Sequence, residues 1–73
     1  MPQASDELRQ RMNERFGDPI DDGEPWKFLK ARGYTAPRFL IRPPEGHTVT
    51  EDEGECIDFL CDEWDWAFDP KPR

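Results

Sequence analysis

The stretch TEDEGECIDFLCDEWDWAFDP, residues 50–70, decides the fold of this chain. It carries nine carboxylates, four large aromatic side chains and no lysine or arginine. At its start, Thr50 and Glu53 form the T-x-x-E pattern of a capping box, in which each side chain bonds the backbone N–H of the other. The pattern predicts a helix over residues 51–65, which must stop before Pro70 because proline cannot continue a helix.

This third helix has two distinct faces when its residues are projected at about 100° each. The face expected on the core holds Cys56, Ile57, Leu60, Cys61 and Trp64. The opposite face holds a carboxylate stripe of Glu51, Glu55, Asp58, Asp62 and Asp65. Neighbouring acids in the stripe are roughly 5–6 Å apart along the axis, which is comparable to the phosphate spacing of a nucleic-acid strand. Phe59 and Trp66 project to the border of the stripe, where they are either exposed or buried under residues 1–16. Alternatively, the helix ends at Trp64 and Trp66 lies beyond it.

Two shorter helices are expected before it. Ser5 can cap a helix over about residues 5–16, whose apolar residues recur with helical spacing and which Gly17 closes. Pro25 suits the first turn of a helix over about residues 25–32, which ends at Gly33. The inward-facing residues of these two helices are Leu8, Met12 and Phe16 in the first, and Trp26, Leu29 and Phe28 in the second.

The only β-like run is YTAPRFLIR, residues 34–42, and Pro37 divides it. It is expected as an edge strand or a small hairpin, since proline cannot donate a ladder hydrogen bond. The predicted fold class is therefore α+β, with three helices and one short strand or hairpin. We expect a single domain over residues 1–73, with loose ends at 1–4 and 69–73.

The net charge of −7 is unevenly placed. Residues 1–50 hold eight acids and eight bases, which cancel, so the last third of the chain carries all of the excess. The bases between Lys27 and Arg42 are expected to offset the acids of their own half. An acidic third repels nucleic acid and attracts a basic partner, which argues against direct nucleic-acid binding there.

Several classes of function find no support in the residues. No apolar run is long enough to span a bilayer, which predicts a cytoplasmic protein. Cys56 and Cys61 are spaced i, i+5 on one helix and are expected to be reduced, and with His47 they match no zinc spacing. His47 is expected at the surface. A convex acidic stripe offers no cleft to separate two carboxyl pKa values, so we expect no enzyme and no cofactor. Glu51, Glu55 and Asp58 could together hold a hard cation, but the D-x-[DN]-x-[DN]-G pattern of a calcium loop is absent, so we expect no metal.

A small acidic chain with aromatic residues among its carboxylates resembles, in style, small phage-encoded anti-CRISPR proteins and other DNA mimics. The resemblance is carried by Glu51, Asp52, Glu55, Asp58, Phe59, Asp62, Glu63, Asp65, Trp66 and Asp69, which are the expected partner-binding residues. It implies a non-enzymatic inhibitor that occupies a basic nucleic-acid site on a CRISPR effector in the cytoplasm of a bacterial host.

Three alternatives stay open. The chain could be a small phage structural or assembly protein whose acidic helix packs on a basic neighbouring subunit, and self-association would suit its small core. It could instead be a transcription-regulating module that uses the basic residues between Lys27 and Arg42. The stripe could also be an ordinary solvated helix face.

Overall fold

The computed structural model describes residues 6–17 and 20–70. They form α1 (Asp6–Phe16), α2 (Gly23–Lys30), a 3₁₀ turn (Pro37–Phe39), β1 (Leu40–Ile41), α3 (Glu51–Trp64) and β2 (Ala67–Phe68). The α+β class with three helices is therefore confirmed. Ser5, the expected cap of the first helix, lies outside the described residues.

The helix α3 begins with the predicted capping box. Thr50 Oγ1 accepts a hydrogen bond from the Glu53 N–H at 3.3 Å, and Glu53 Oε1 accepts one from the Thr50 N–H at 3.1 Å. At the other end Asp65 adopts the left-handed conformation with φ 59°, and the Trp66 N–H donates to Leu60 O at 3.2 Å. The helix therefore ends one residue earlier than predicted, and Trp66 lies beyond it.

A glycine with positive φ follows each of the helices α1 and α2. The Gly17 N–H donates to Asn13 O at 2.8 Å with φ +94°, which closes α1 as predicted. Gly33, with φ +92°, follows α2. The helix α2 starts two residues before the predicted Pro25, because the Asp21 side chain accepts a hydrogen bond from the first helical N–H, that of Gly23, at 2.9 Å.

The predicted strand over residues 34–42 is shorter than expected. Thr35 and Arg42 form one antiparallel bridge, with N···O distances of 3.1 and 2.7 Å, and the 3₁₀ turn occupies the segment after Ala36. The strand β1 pairs in parallel with β2, in the register Leu40 to Ala67 and Ile41 to Phe68. In the C-terminal segment expected to be loose, the Asp69 N–H donates to Ile41 O at 2.9 Å, while residues 71–73 lie outside the described range.

The core forms where α1 and α2 pack on α3. Its buried apolar residues are Leu8, Met12, Leu29, Tyr34, Ile41, Cys56, Ile57, Phe59 and Leu60. Trp64 was predicted in this core, and that prediction is wrong: it is 44% exposed, whereas Phe59 is only 2% exposed. Phe59 lies one turn from both Glu55 and Glu63, and both of these acids pair with arginines of α1. Because α1 covers that side, the buried face of α3 is rotated toward Phe59.

Candidate functional site

The side of α3 that faces α1 has its carboxylates neutralised by arginine. The pairs are Arg9 Nε to Glu63 Oε1 at 3.2 Å, Arg11 Nε to Glu55 Oε2, and Arg15 Nη1 to Glu55 Oε1 at 3.3 Å and to Asp52 Oδ1 at 4.0 Å. Arg42 likewise lies 3.5 Å from Asp69. The expectation that the bases between Lys27 and Arg42 offset acids of their own half is wrong for Arg42 and for Arg32, whose Nε lies 3.4 Å from Glu53 Oε2.

The rest of the acidic stripe stays open to solvent. Glu51, Asp58, Asp62 and Asp65 make no ion pair and no side-chain hydrogen bond within residues 6–17 and 20–70. We call these four residues the open acidic row. Burial, and then the charges of Asp62 and Glu55, raise the pKa of Asp58. The row therefore holds like charges that repel one another, and a cation bound there would relieve this repulsion.

The structure separates the two aromatic residues expected beside the stripe. Phe59 is the buried one, and cannot contact a partner without unfolding. Trp66 is half-buried and packs against two other rings, with its centroid 5.6 Å from that of Trp26 and 5.1 Å from that of Phe39. Of the ten residues predicted to bind a partner, the structure thus leaves the open acidic row and Trp66 as the best placed.

A second cluster centres on Glu53, which is 2% exposed although it is charged. Its Oε1 lies 2.8 Å from the Tyr34 hydroxyl and 2.7 Å from His47 Nε2, in addition to the capping bond from Thr50 N–H. Its Oε2 lies 3.4 Å from Arg32 Nε. His47, predicted at the surface, is half-buried here and packs edge-on against the Tyr34 ring at 5.5 Å.

The protonation states in this cluster follow from its geometry. Burial alone would raise the pKa of Glu53, but hydrogen bonds from His47, the Thr50 backbone and Tyr34 outweigh it and lower the pKa to about 2. Burial and the bonded carboxylate raise the pKa of Tyr34 above its ordinary value. The carboxylate can only accept, so the Tyr34 hydroxyl and His47 Nε2 are the donors. The cluster joins the end of α2, the loop at His47 and the start of α3, which is a structural role.

A pocket lies near the start of α2 and is lined largely by aromatic side chains. Its lining residues are Asp22, Gly23, Trp26, Ala36, Phe39 and Trp66, and its volume is about 290 Å³. Phe39 is 62% exposed at its edge. We call this feature the aromatic pocket. Its rings come from three separate segments: α2, the 3₁₀ turn and the residues after α3.

The backbone that presents Phe39 is strained. Arg38 and Phe39 have φ values of 52° and 63°, and neither is glycine. Non-glycine residues in sparsely populated conformations cost about 1–3 kcal/mol each, and such strain clusters at functional sites. Here the two residues hold a large apolar ring at the surface against Trp66.

Sequence reasoning missed the Glu53 cluster and the aromatic pocket. For Glu53, the capping box was visible but its pairing with Tyr34, Arg32 and His47 depends on tertiary contacts. For the pocket, the high aromatic content was the only signal, since its rings are far apart in the chain.

Three further observations bear on the kind of site. In residues 6–17 and 20–70, no group of three or more histidine, cysteine, aspartate or glutamate side chains is arranged to hold a metal ion. Cys56 and Cys61 are free thiols, and burial raises the pKa of both. Over the same residues, no helix combines the length and apolar character needed to cross a membrane.

Comparison with known proteins places the chain among phage proteins. A family model described as phage Pam3 gp59 related protein matches residues 1–70. The chain therefore belongs to the Pam3 gp59-related family and is a phage protein. No curated protein and no solved structure matches it.

Proposed function

We propose that this phage protein is a non-enzymatic inhibitor whose open acidic row binds a basic nucleic-acid site on a host protein. The observation that carries the proposal is the row itself: three carboxylates on α3 and a fourth, Asp65, at its C-cap, none of which forms an ion pair with an arginine or lysine of the described residues. Arginine pairs on the α1 side show that this chain can neutralise its acids where packing allows.

Spacing and rigidity favour mimicry of a nucleic-acid backbone. Asp58 and Asp62 lie four residues apart on α3, so their charges are roughly 6 Å apart along the helix axis, and Asp65 follows at the C-cap. The helix that carries them is fixed by a capping box and packed against two other helices, so the charges need little ordering on binding.

The partner that suits this surface is a protein with a channel lined by arginine and lysine. In the host of a phage, a CRISPR effector in the bacterial cytoplasm has such a channel for its nucleic acids. Binding there would exclude the target strand by charge and shape, with no chemical step. A phage assembly role stays the alternative, since the same row could contact a basic subunit.

The test uses the tagged protein as bait in a bacterial lysate that contains CRISPR effectors. Captured proteins are eluted with increasing salt concentration and identified by mass spectrometry. Mimicry predicts a nucleic-acid-binding protein that competing DNA releases. Asp58→Lys combined with Asp62→Lys should abolish the capture.

The control is Glu7→Lys combined with Glu14→Lys, which changes the net charge equally on exposed positions of α1 and should leave capture intact. Recovery of only a virion protein or of the protein itself would refute mimicry. Equal loss of capture in both double variants would refute the assignment to the row.

A further inference from the structure

We propose that the aromatic pocket binds the side chain of an arginine contributed by the partner protein. This inference rests on the proposed function, which makes the partner basic. It adds which side chain of the partner binds and where on this protein it binds. The open acidic row acts through distributed charge. The aromatic pocket would add one specific contact.

The rings of the pocket are arranged as walls around a space. Trp66 is tilted by 54° against Trp26 and by 55° against Phe39, so the three rings do not stack in parallel and their faces point in different directions. A cation within about 6 Å of a ring face is attracted by its quadrupole, most strongly for tryptophan. The pocket therefore contains two tryptophan rings, the aromatic type that attracts a cation most strongly.

Asp22 supplies the anionic group of the pocket. It occupies the N-cap position of α2 but makes no side-chain capping bond, and the N3 residue Pro25 has no N–H to donate to it. Among the described residues, the Asp22 carboxylate has no ion pair and no hydrogen bond, and the residue is half-buried. A carboxylate beside aromatic faces matches the guanidinium group, which can bond the acid through its planar fork while its face lies on a ring.

Elsewhere this chain already pairs arginine with aromatic rings. Arg32 Cζ lies 3.6 Å from the Phe28 ring centroid, and Arg15 Cζ lies 5.0 Å from the same centroid. No cation of residues 6–17 or 20–70 lies over Trp26, Phe39 or Trp66 in the same way. The rings best suited to this interaction are therefore the ones that the chain's own described arginines do not use.

Size and charge select the ligand further. The volume of about 290 Å³ lies at the lower end of the roughly 300–1,000 Å³ of small-molecule pockets, which is enough for one side chain. The net charge of −7 disfavours an anion. Lysine carries a compact charge without a planar face, so it should bind more weakly than arginine.

The experiment titrates the protein with N-acetyl-L-arginine amide and follows backbone and indole N–H signals by NMR. The matched probe is N-acetyl-L-citrulline amide, which has nearly the same shape but no charge. We expect saturable shifts of the Trp26 and Trp66 indole signals with arginine, and binding at least about 10-fold weaker with citrulline. Equal binding of the two probes, or shifts that do not saturate, would overturn the proposal.

Variants assign the contact to the pocket. Phe39→Ala and Asp22→Asn should each weaken arginine binding about 5- to 10-fold. Trp64→Ala removes another exposed aromatic outside the pocket and should leave the affinity unchanged. A well-dispersed spectrum checks that each variant is folded. If Asp22→Asn does not fold, Phe39→Ala still tests the pocket, because Phe39 is exposed and its loss should not unfold the protein. Unchanged binding in a folded Phe39→Ala variant would overturn the assignment.

The two proposals fail separately. If arginine amide does not bind but the acidic-row variants still lose capture of a nucleic-acid-binding protein, only the pocket assignment falls. If arginine amide binds in the pocket but capture yields no such protein, the proposed function falls and the pocket stands.

Discussion

Replacing Glu53 by glutamine removes the charge at the centre of the buried cluster while keeping the shape of the side chain. In the folded protein the pKa of Glu53 is about 2, against an ordinary value of 4.5. Since one pKa unit corresponds to about 1.36 kcal/mol, the ionised carboxylate stabilises the fold by about 3 kcal/mol at neutral pH. Glu53→Gln should lose most of this free energy of unfolding.

The pH dependence follows from the direction of the shift. Below pH 4.5 the unfolded chain protonates Glu53 while the folded protein keeps it ionised down to about pH 2. The unfolded state therefore binds more protons in this window, and the contribution of Glu53 to stability falls as the pH drops through it. The glutamine variant has no such group, so the difference in free energy of unfolding between it and the wild type must change with pH.

The assay is urea unfolding of both proteins at pH 7, 5, 4 and 3, followed by circular dichroism. The difference between them isolates Glu53 from the other carboxylates, and it should be about 3 kcal/mol at pH 7 and shrink steadily toward pH 3. Glu24→Gln, at a half-exposed acid 3.7 Å from Lys27, is the control and should stay within about 0.5 kcal/mol of wild type. A difference that does not vary with pH would refute the reasoning.

Further predictions concern the core, the strained turn and the acidic row. Phe59→Ala should lower the free energy of unfolding by about 3–5 kcal/mol and Trp64→Ala by at most about 0.5, measured by urea unfolding; equal losses would contradict the observed core. Arg38→Gly should raise it by about 0.5–1 kcal/mol because glycine accepts φ 52° without strain, whereas a similar gain in Arg38→Ala would contradict this cause. Asp62→Asn should raise thermal stability by a few tenths of a kcal/mol at low salt, because it removes a charge that repels Asp58; a loss would argue against repulsion in the row.

Local signals in the chain were enough to predict α3. Thr50 and Glu53 specify the start of the helix through bonds that span three residues, so no distant contact is needed. The same holds for Gly17, whose positive φ ends α1. The strand β2 could not be predicted this way, because two residues show no alternation and their partner β1 is far away in the chain.

The candidate site depends on packing that local patterns do not contain. A count of acids and bases in each part of the chain could not show that Arg11 and Arg15 pair with Glu55. These ion pairs remove Glu55 from the open acidic surface. The helical projection put Phe59 beside the stripe, but it could not show that α1 covers that side. The position of Phe39 depends on two left-handed residues that carry no glycine or asparagine to indicate them.

The central claim is that the open acidic row and a nucleic acid compete for one basic site. The most direct measurement is displacement of a fluorescent oligonucleotide from a purified CRISPR effector recovered by the capture, followed by anisotropy at two salt concentrations. The account predicts complete displacement by the wild-type protein, weaker at high salt, with Asp58→Lys plus Asp62→Lys at least about 10-fold less effective and Glu7→Lys plus Glu14→Lys unchanged. A ternary complex that keeps the oligonucleotide bound, or equal displacement by all three proteins, would contradict it.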